Sequence, residues 1–319
     1  MAFREIIGQK NVINWLKSAF AKHRLASAYL FSGLEGIGKT TVAINFAKFL
    51  NCHSPKDGDA CEKCSNCVKI NANTHPDVIV IQGEVIKIEQ IRFLEQTLSL
   101  KPLIAKKRVV IIKRAENMTL EAANAFLKTL EEPPLNTILI LTTSHKYQLL
   151  PTIVSRCQMV IFKPLPLKII QEILEKKGVD KTKAFFFASL SQGSLGKALR
   201  FLEEKIDFNW IYDLVEKISI IKTWKSLNSI LEKTKDLENL EKLLDFYQAL
   251  WRDILLIKYQ CEDFLINKEL IDNYRKIAST TSLSEIKDIL ITIEQIKRWL
   301  KQNVSKETLL EYLVLKRWY

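Results

Sequence analysis

At 319 residues the chain exceeds what one compact core of ordinary size accommodates, so two or three domains are expected. Apolar residues at 47% and charged residues at 26% exclude disorder as the default, and only 9 Gly and 8 Pro among Leu-, Ile-, Lys- and Glu-rich stretches exclude a large all-β fold. The formal charge of +12 draws the protein toward nucleic acid or acidic protein surfaces, although a Lys- and Ile-heavy composition set by codon usage or habitat gives the same number.

The first residues lack the apolar run of a signal peptide, and nowhere do 18 apolar residues run together, so a cytoplasmic protein without a membrane span is expected. In chain order, helical spacing at Val12, Trp15, Leu16, Ala19 and Phe20 precedes a buried-strand candidate at Tyr29–Phe31. A helix through Val42, Phe46, Phe49 and Leu50 follows, then a strand at Val78–Ile81 and a helix through Ile88, Ile91, Leu94 and Leu98. Further strands are expected at Val109–Ile112, Ile138–Leu141 and Met159–Phe162. Strand alternating with helix predicts a parallel sheet covered on both faces. Lys163-Pro164-Leu165-Pro166 breaks this pattern, because two prolines cannot continue a strand interior. Beyond it only helical patterns appear, with the clearest turn at Gly193–Gly196. The expected domains are 1–165, a small helical domain over 166–206, and a larger helical domain over 207–319.

Gly33-Leu34-Glu35-Gly36-Ile37-Gly38-Lys39-Thr40 is a complete G-x-x-x-x-G-K-T between the first strand and a helix, the context such a phosphate loop requires. Its glycines let backbone N–H groups curl round phosphate oxygens, Lys39 reaches the terminal phosphates, and Thr40 is placed to ligate Mg²⁺. The nucleotide-binding set is therefore Gly33, Gly36, Gly38, Lys39, Thr40 and Thr41. Hydrolysis is another matter. P-loop ATPases hold Mg²⁺ with a carboxylate at the end of a later apolar strand, and here Val109–Ile112 ends in Lys113-Arg114. Two unit charges of like sign 4 Å apart repel by about 4 kcal/mol at an effective dielectric near 20, and a divalent ion doubles that. Glu116, the nearest carboxylate downstream, reads as a helix-start residue before Met118.

Cys52, Cys61, Cys64 and Cys67 fall within sixteen residues, and in a reducing compartment such a cluster points to a metal. Four thiolates close a tetrahedral shell around Zn²⁺ at about 2.3 Å, which would be a structural zinc. An iron–sulfur cluster is the rival, but no fourth Cys-Pro follows at the expected distance. His53 and His75 read as bystanders, and Cys157 and Cys261 as packed thiols.

Ala123-Asn124-Ala125-Phe126-Leu127-Lys128-Thr129-Leu130-Glu131-Glu132-Pro133-Pro134 and Ser155-Arg156-Cys157 closely resemble bacterial DNA polymerase III clamp-loader subunits of the AAA+ superfamily. Ile7-Gly8-Gln9 and the segment from Arg24 to Phe31 resemble the same family's N-terminal stretches. The likeness covers residues 3–205 well and continues more thinly through Trp251–Leu255 and 303–315. It implies an α/β P-loop, RecA-like AAA+ domain over 1–165 with a zinc module near 52–67, a helical lid over 166–206 and an all-α oligomerising collar over 207–319. It implies that Arg156 is an arginine finger acting in trans on a neighbour's ATP, and that Thr142 and Thr143 sense the γ-phosphate. The implied partners are clamp-loader motor subunits, a delta-type subunit, a sliding clamp and primed DNA, with ATP or ADP bound, with or without Mg²⁺. Where a motor subunit carries a second sensor arginine, Gly193-Ser194-Leu195 is followed here by Gly196, with Lys197 next and Arg200 a turn later. An intact P-loop, two cations in place of acids and a retained Ser-Arg-Cys favour a non-motor subunit with weak or absent ATPase activity. The rivals are an active motor of the same complex using Glu116, and a P-loop small-molecule kinase.

Overall fold

The computed structural model describes residues 2–203, 237–266, 271–300, 304–305, 308–309 and 311–312. The chain divides into two compact units, Met1–Pro166 with Gly193–Lys197, and Leu167–Gln192 with Ala198–Tyr319.

In the first unit, β1 (Ala28–Ser32), β2 (Val78–Ile81), β3 (Arg108–Ile112), β4 (Thr137–Thr143) and β5 (Gln158–Ile161) form one parallel sheet in the order β2-β3-β4-β1-β5. All five expected strands are present. The register pairs Leu30 with Leu141 on one side and with Met159 on the other. Six helices surround the sheet: α1 (Lys10–Ala21), α2 (Lys39–Asn51), α3 (Ser65–Asn71), α4 (Ile88–Ser99), α5 (Leu120–Glu131) and α6 (Pro151–Arg156).

Because successive strand side chains point to opposite faces, each strand feeds two cores. Tyr29, Phe31, Val109, Ile111, Ile138, Ile140 and Val160 pack with Val12 and Leu16 of α1 and Val42 and Phe46 of α2. Leu30, Val110, Ile112, Leu139 and Leu141 pack on the other face with Ile91 and Leu94 of α4, Phe126 of α5 and Ile153 of α6. Burial on both faces is why the strands are near-continuous aliphatic runs.

One buried ion pair pins the connection from α4 to β3. Asp77 and Arg108 have side chains 1% and 4% exposed. The Asp77 carboxylate accepts the N–H groups of Leu103, Ile104 and Ala105, and the Arg108 guanidinium donates to the carbonyls of Thr97, Leu100 and Lys101. Six backbone groups and the ion pair itself thus offset two charges that burial alone would penalise, with only Arg108 Nε of the guanidinium lacking a partner.

The second unit's described elements are helical: α7 (Leu167–Lys176), α8 (Lys181–Leu190), the body of α9 (Leu195–Glu203), α10 (Leu237–Lys258), α11 (Ile271–Thr280) and α12 (Leu283–Leu300). The Phe186 ring of α8 stacks on Phe246 of α10 at 5.8 Å, and Lys297 of α12 pairs with Asp245 of α10 at 2.7 Å. Trp251 to Leu255 lie within α10. The expected 206/207 boundary lies outside the described residues, as does much of 303–315. No described helix is long and apolar enough to cross a membrane.

Candidate functional site

The loop from Gly33 to Gly38 leaves β1 at the carboxyl edge of the sheet, where parallel α/β sheets bind ligands. Gly33 N–H donates to the Thr143 carbonyl at 3.2 Å, so the β1–β4 ladder runs directly into the loop. Gly36 at φ +71° and Gly38 at φ +99° take left-handed conformations that L side chains resist. Gly38 caps α2 with no side chain over the helix start, leaving first-turn N–H groups for an anion. Thr40 and Thr41 follow in that turn, both half-buried.

Lys39 is 7% exposed, and its ammonium donates to the carbonyls of Gly33 at 2.6 Å and Leu34 at 2.7 Å and to Ser144 Oγ at 3.1 Å. All three donors are engaged, which holds the amine at the loop's centre. Burial brings its pKa down to about 8, against the opposing fields of Glu116 and Glu35 and with a small contribution from Arg114. The turn at Gly193–Lys197 seals the loop's outer side. Ser194 Oγ donates to the Glu35 carbonyl at 2.6 Å and Gly196 N–H to the Gly36 carbonyl at 2.9 Å.

Beyond β3, Lys113 donates to Gln82 Oε1 at 2.8 Å. Arg114 adopts φ +49°, gives its N–H to Thr142 Oγ1, and extends its guanidinium to Glu35 in the phosphate loop at 2.5 Å. This reversal throws the next turn, Ala115–Asn117, back under β4. Glu116 therefore enters the site: its side chain is 6% exposed, Oε1 accepts Ser144 N–H at 2.9 Å and lies 3.5 Å from His145 Nδ1, and Oε2 has no hydrogen-bond partner. Thr142 and Thr143 are buried at the end of β4, and their hydroxyls accept from Arg114 N–H and His145 N–H.

Arg156, the last residue of α6, is not part of this cluster. Gln158 pairs with Tyr29, so Arg156 lies beyond the amino edge of the sheet, with Tyr29 to Gly33 spanning about 13 Å of strand between it and the phosphate loop. Its half-exposed guanidinium donates to Glu131 Oε1 at 2.6 Å and to the Thr152 carbonyl at 3.1 Å.

The four cysteines of the cluster are brought together after α2. Their sulfurs lie within 4.8 Å of one another, with Cys52 and Cys67 buried and Cys61 and Cys64 partly so. A tetrahedral shell with bonds of about 2.3 Å sets sulfurs about 3.8 Å apart, so the donor set fits one tetrahedral ion. Cys61 Sγ accepts Cys64 N–H at 3.3 Å, and Cys52 Sγ accepts Cys61 N–H at 3.3 Å. The N–H groups of Lys63 and Cys64 bring the Cys61 pKa down to about 6, which favours the ligating thiolate. His53 bonds to Asn66 and His75 accepts Asp77 N–H, so neither joins the cluster. Asp59 in the same loop accepts the N–H groups of Phe3 and Arg4.

Two residues in the phosphate site were not singled out from sequence. Ser144 follows the two threonines and is the hydroxyl that touches Lys39, and Glu35 occupies a variable position of the motif yet pairs with Arg114. The arrangement can bind and neutralise a polyphosphate. It offers one buried carboxylate, Glu116, and none at the end of β3.

The chain matches the family model described as DNA polymerase III, delta subunit, over residues 8–166. It is 31% identical to DNA polymerase III subunit delta' of Bacillus subtilis (strain 168), covering 96% of this chain and 95% of that protein. It is equally 31% identical to DNA polymerase III subunit tau of the same organism, covering 93% of this chain but 58% of the tau protein. Among solved structures, a DNA polymerase III gamma-subunit-related protein of Thermotoga maritima aligns with a TM-score of 0.51 at 21% identity, over 96% of this chain and 98% of that one, a likeness of fold.

Proposed function

Since the chain belongs to the DNA polymerase III clamp-loader subunit family, we propose that it is the non-motor, delta-prime-type member, which completes a neighbour's ATP site instead of turning over its own nucleotide. The supporting observation is the position of Arg156. It is half-exposed at the opposite edge of the sheet from its own phosphate loop, so its guanidinium is available to a neighbouring ATPase subunit and out of reach of its own. A planar guanidinium matches γ-phosphate oxygens bidentately, and such a finger contributes about 10³ to 10⁵ in rate.

In this reading the chain works with motor subunits and a delta-type subunit to open a sliding clamp and seat it on primed DNA in the cytoplasm, its positive charge favouring the DNA's company. Cys52, Cys61, Cys64 and Cys67 hold a structural zinc, and Gly33–Thr41 hold ATP or ADP. Thr142, Thr143 and Ser144 line the phosphate end.

A second reading, an active gamma- or tau-type motor, draws on the buried Glu116 carboxylate with its unpartnered Oε2. Reconstitution with motor subunits decides between them. Arg156→Ala lowers DNA-stimulated turnover at the neighbouring ATP site by about 10³ under the first reading, while the isolated chain shows weak or absent phosphate release. Brisk turnover by the isolated chain, lost in Lys39→Ala, establishes the second.

A further inference from the structure

The Mg²⁺ that a P-loop fold leads one to expect demands a near-octahedral shell of oxygens anchored on carboxylate, and the residues here do not fit it. The two side chains beyond β3 are cations: Lys113 is turned to Gln82, and Arg114 reaches into the loop itself. Glu116 gives Oε1 to Ser144 N–H and faces His145, which leaves Oε2 as a single carboxylate oxygen where the shell asks for more.

We propose that this phosphate loop binds its nucleoside di- or triphosphate without a divalent metal, with the Arg114 guanidinium supplying the positive charge at the phosphates. The inference rests on the nucleotide-binding reading above. Three observations carry it. Arg114 is anchored at its backbone, with a left-handed φ of +49° and its N–H bonded to Thr142, so its side chain starts from a fixed point beside the loop. Its guanidinium is bound to Glu35, a residue of the loop, and so already stands at the rim of the phosphate cradle. Both partners of that pair are about half exposed, at 57% and 46%, so solvent screens it and a phosphate competes for the arginine readily. Phosphate accepts the same two-pronged donor as carboxylate and carries more charge. Glu35 is thus a placeholder that yields Arg114 when nucleotide enters. No bond is made or broken beyond these hydrogen bonds.

The test is equilibrium binding of ADP and of the β,γ-imido analogue of ATP to the full chain, in excess EDTA and in excess magnesium. The two conditions are expected to agree within about threefold. Arg114→Ala is expected to weaken binding in EDTA by about tenfold or more, and Glu35→Ala, which removes the competitor, to tighten it by about threefold. Arg114→Lys keeps the charge without the fork and gives an intermediate affinity, which separates loss of charge from loss of fold. Binding that requires magnesium, or that ignores Arg114→Ala in EDTA, overturns the metal-free site and leaves the nucleotide reading intact. No binding in either condition overturns both.

Discussion

Arg156 Nη2 donates to Glu131 Oε1 at 2.6 Å, joining the last residue of α6 to the last residue of α5. The contact is solvent-facing, so its value for stability is small, about 0–1 kcal/mol. Its value for orientation is separable. Glu131→Ala is expected to leave thermal unfolding within about 2 °C of wild type while lowering the reconstituted complex's ATPase several-fold. Arg156→Lys is expected to recover little of the Arg156→Ala loss, because an ammonium cannot grip two phosphate oxygens in a plane. Paired melting and turnover measurements on these variants check both statements.

If the four cysteines hold zinc as proposed, removing it is expected to unmake the module around α3. Zinc analysis should give one ion for the four cysteines at 52, 61, 64 and 67. Chelation or Cys61→Ser is expected to lower Tm by about 10 °C or more and to strip hydrogen-exchange protection from residues 52–71, since little else is buried in the cluster beyond the cysteines and Ala60.

Asp77 provides a pH test. Burial would raise its pKa, but the N–H groups of Ile104, Leu103 and Ala105 and the Arg108 guanidinium outweigh that and hold it below the usual carboxylate range. A carboxyl depressed in the folded state stabilises fully above its unfolded pKa of about 4 and loses that contribution as pH falls through the folded value. Urea unfolding should therefore show a stability loss below about pH 4 that is shallower in Asp77→Asn. Asp77→Ala, which leaves Arg108 buried without its partner, is expected to cost about 3–5 kcal/mol at neutral pH.

Lys39 provides another. With its pKa near 8 it is largely protonated at pH 7 and loses its charge as pH rises past that value. ADP affinity should decline above about pH 8, approaching tenfold per pH unit, because phosphate binds the charged amine. Binding at pH 8.5 should take up a proton, seen as a difference in calorimetric heat between buffers of unlike ionisation enthalpy.

The sheet was legible because a strand buried on both faces has to be a short aliphatic run, and Val109–Ile112 or Ile138–Leu141 admits little else. β4 runs past the aliphatic stretch Ile138–Leu141 to end on Thr142 and Thr143, as expected, because their hydroxyls satisfy neighbouring N–H groups and make threonine acceptable in a buried position. The phosphate loop and the cysteine cluster were legible because local spacing alone carries their chemistry. Glu116 does stand in the first turn of a short 3-10 helix before Met118, as expected, but its entry into the site was not legible: that depends on a left-handed arginine, and nothing in Lys113-Arg114-Ala115 announces the reversal. The Arg114–Glu35 pair spans 79 positions and the Arg108–Asp77 pair 31, and such partnerships exist only once the strands have assembled.

The grip of Asp59 on the backbone of Phe3 and Arg4 makes the segment before α1 a dependant of the cysteine loop, with Phe3 also resting on Phe49 of α2. Any descendant that discards the cysteines inherits a loose leading segment, and needs a replacement fastening there before it can keep the same first helix in place.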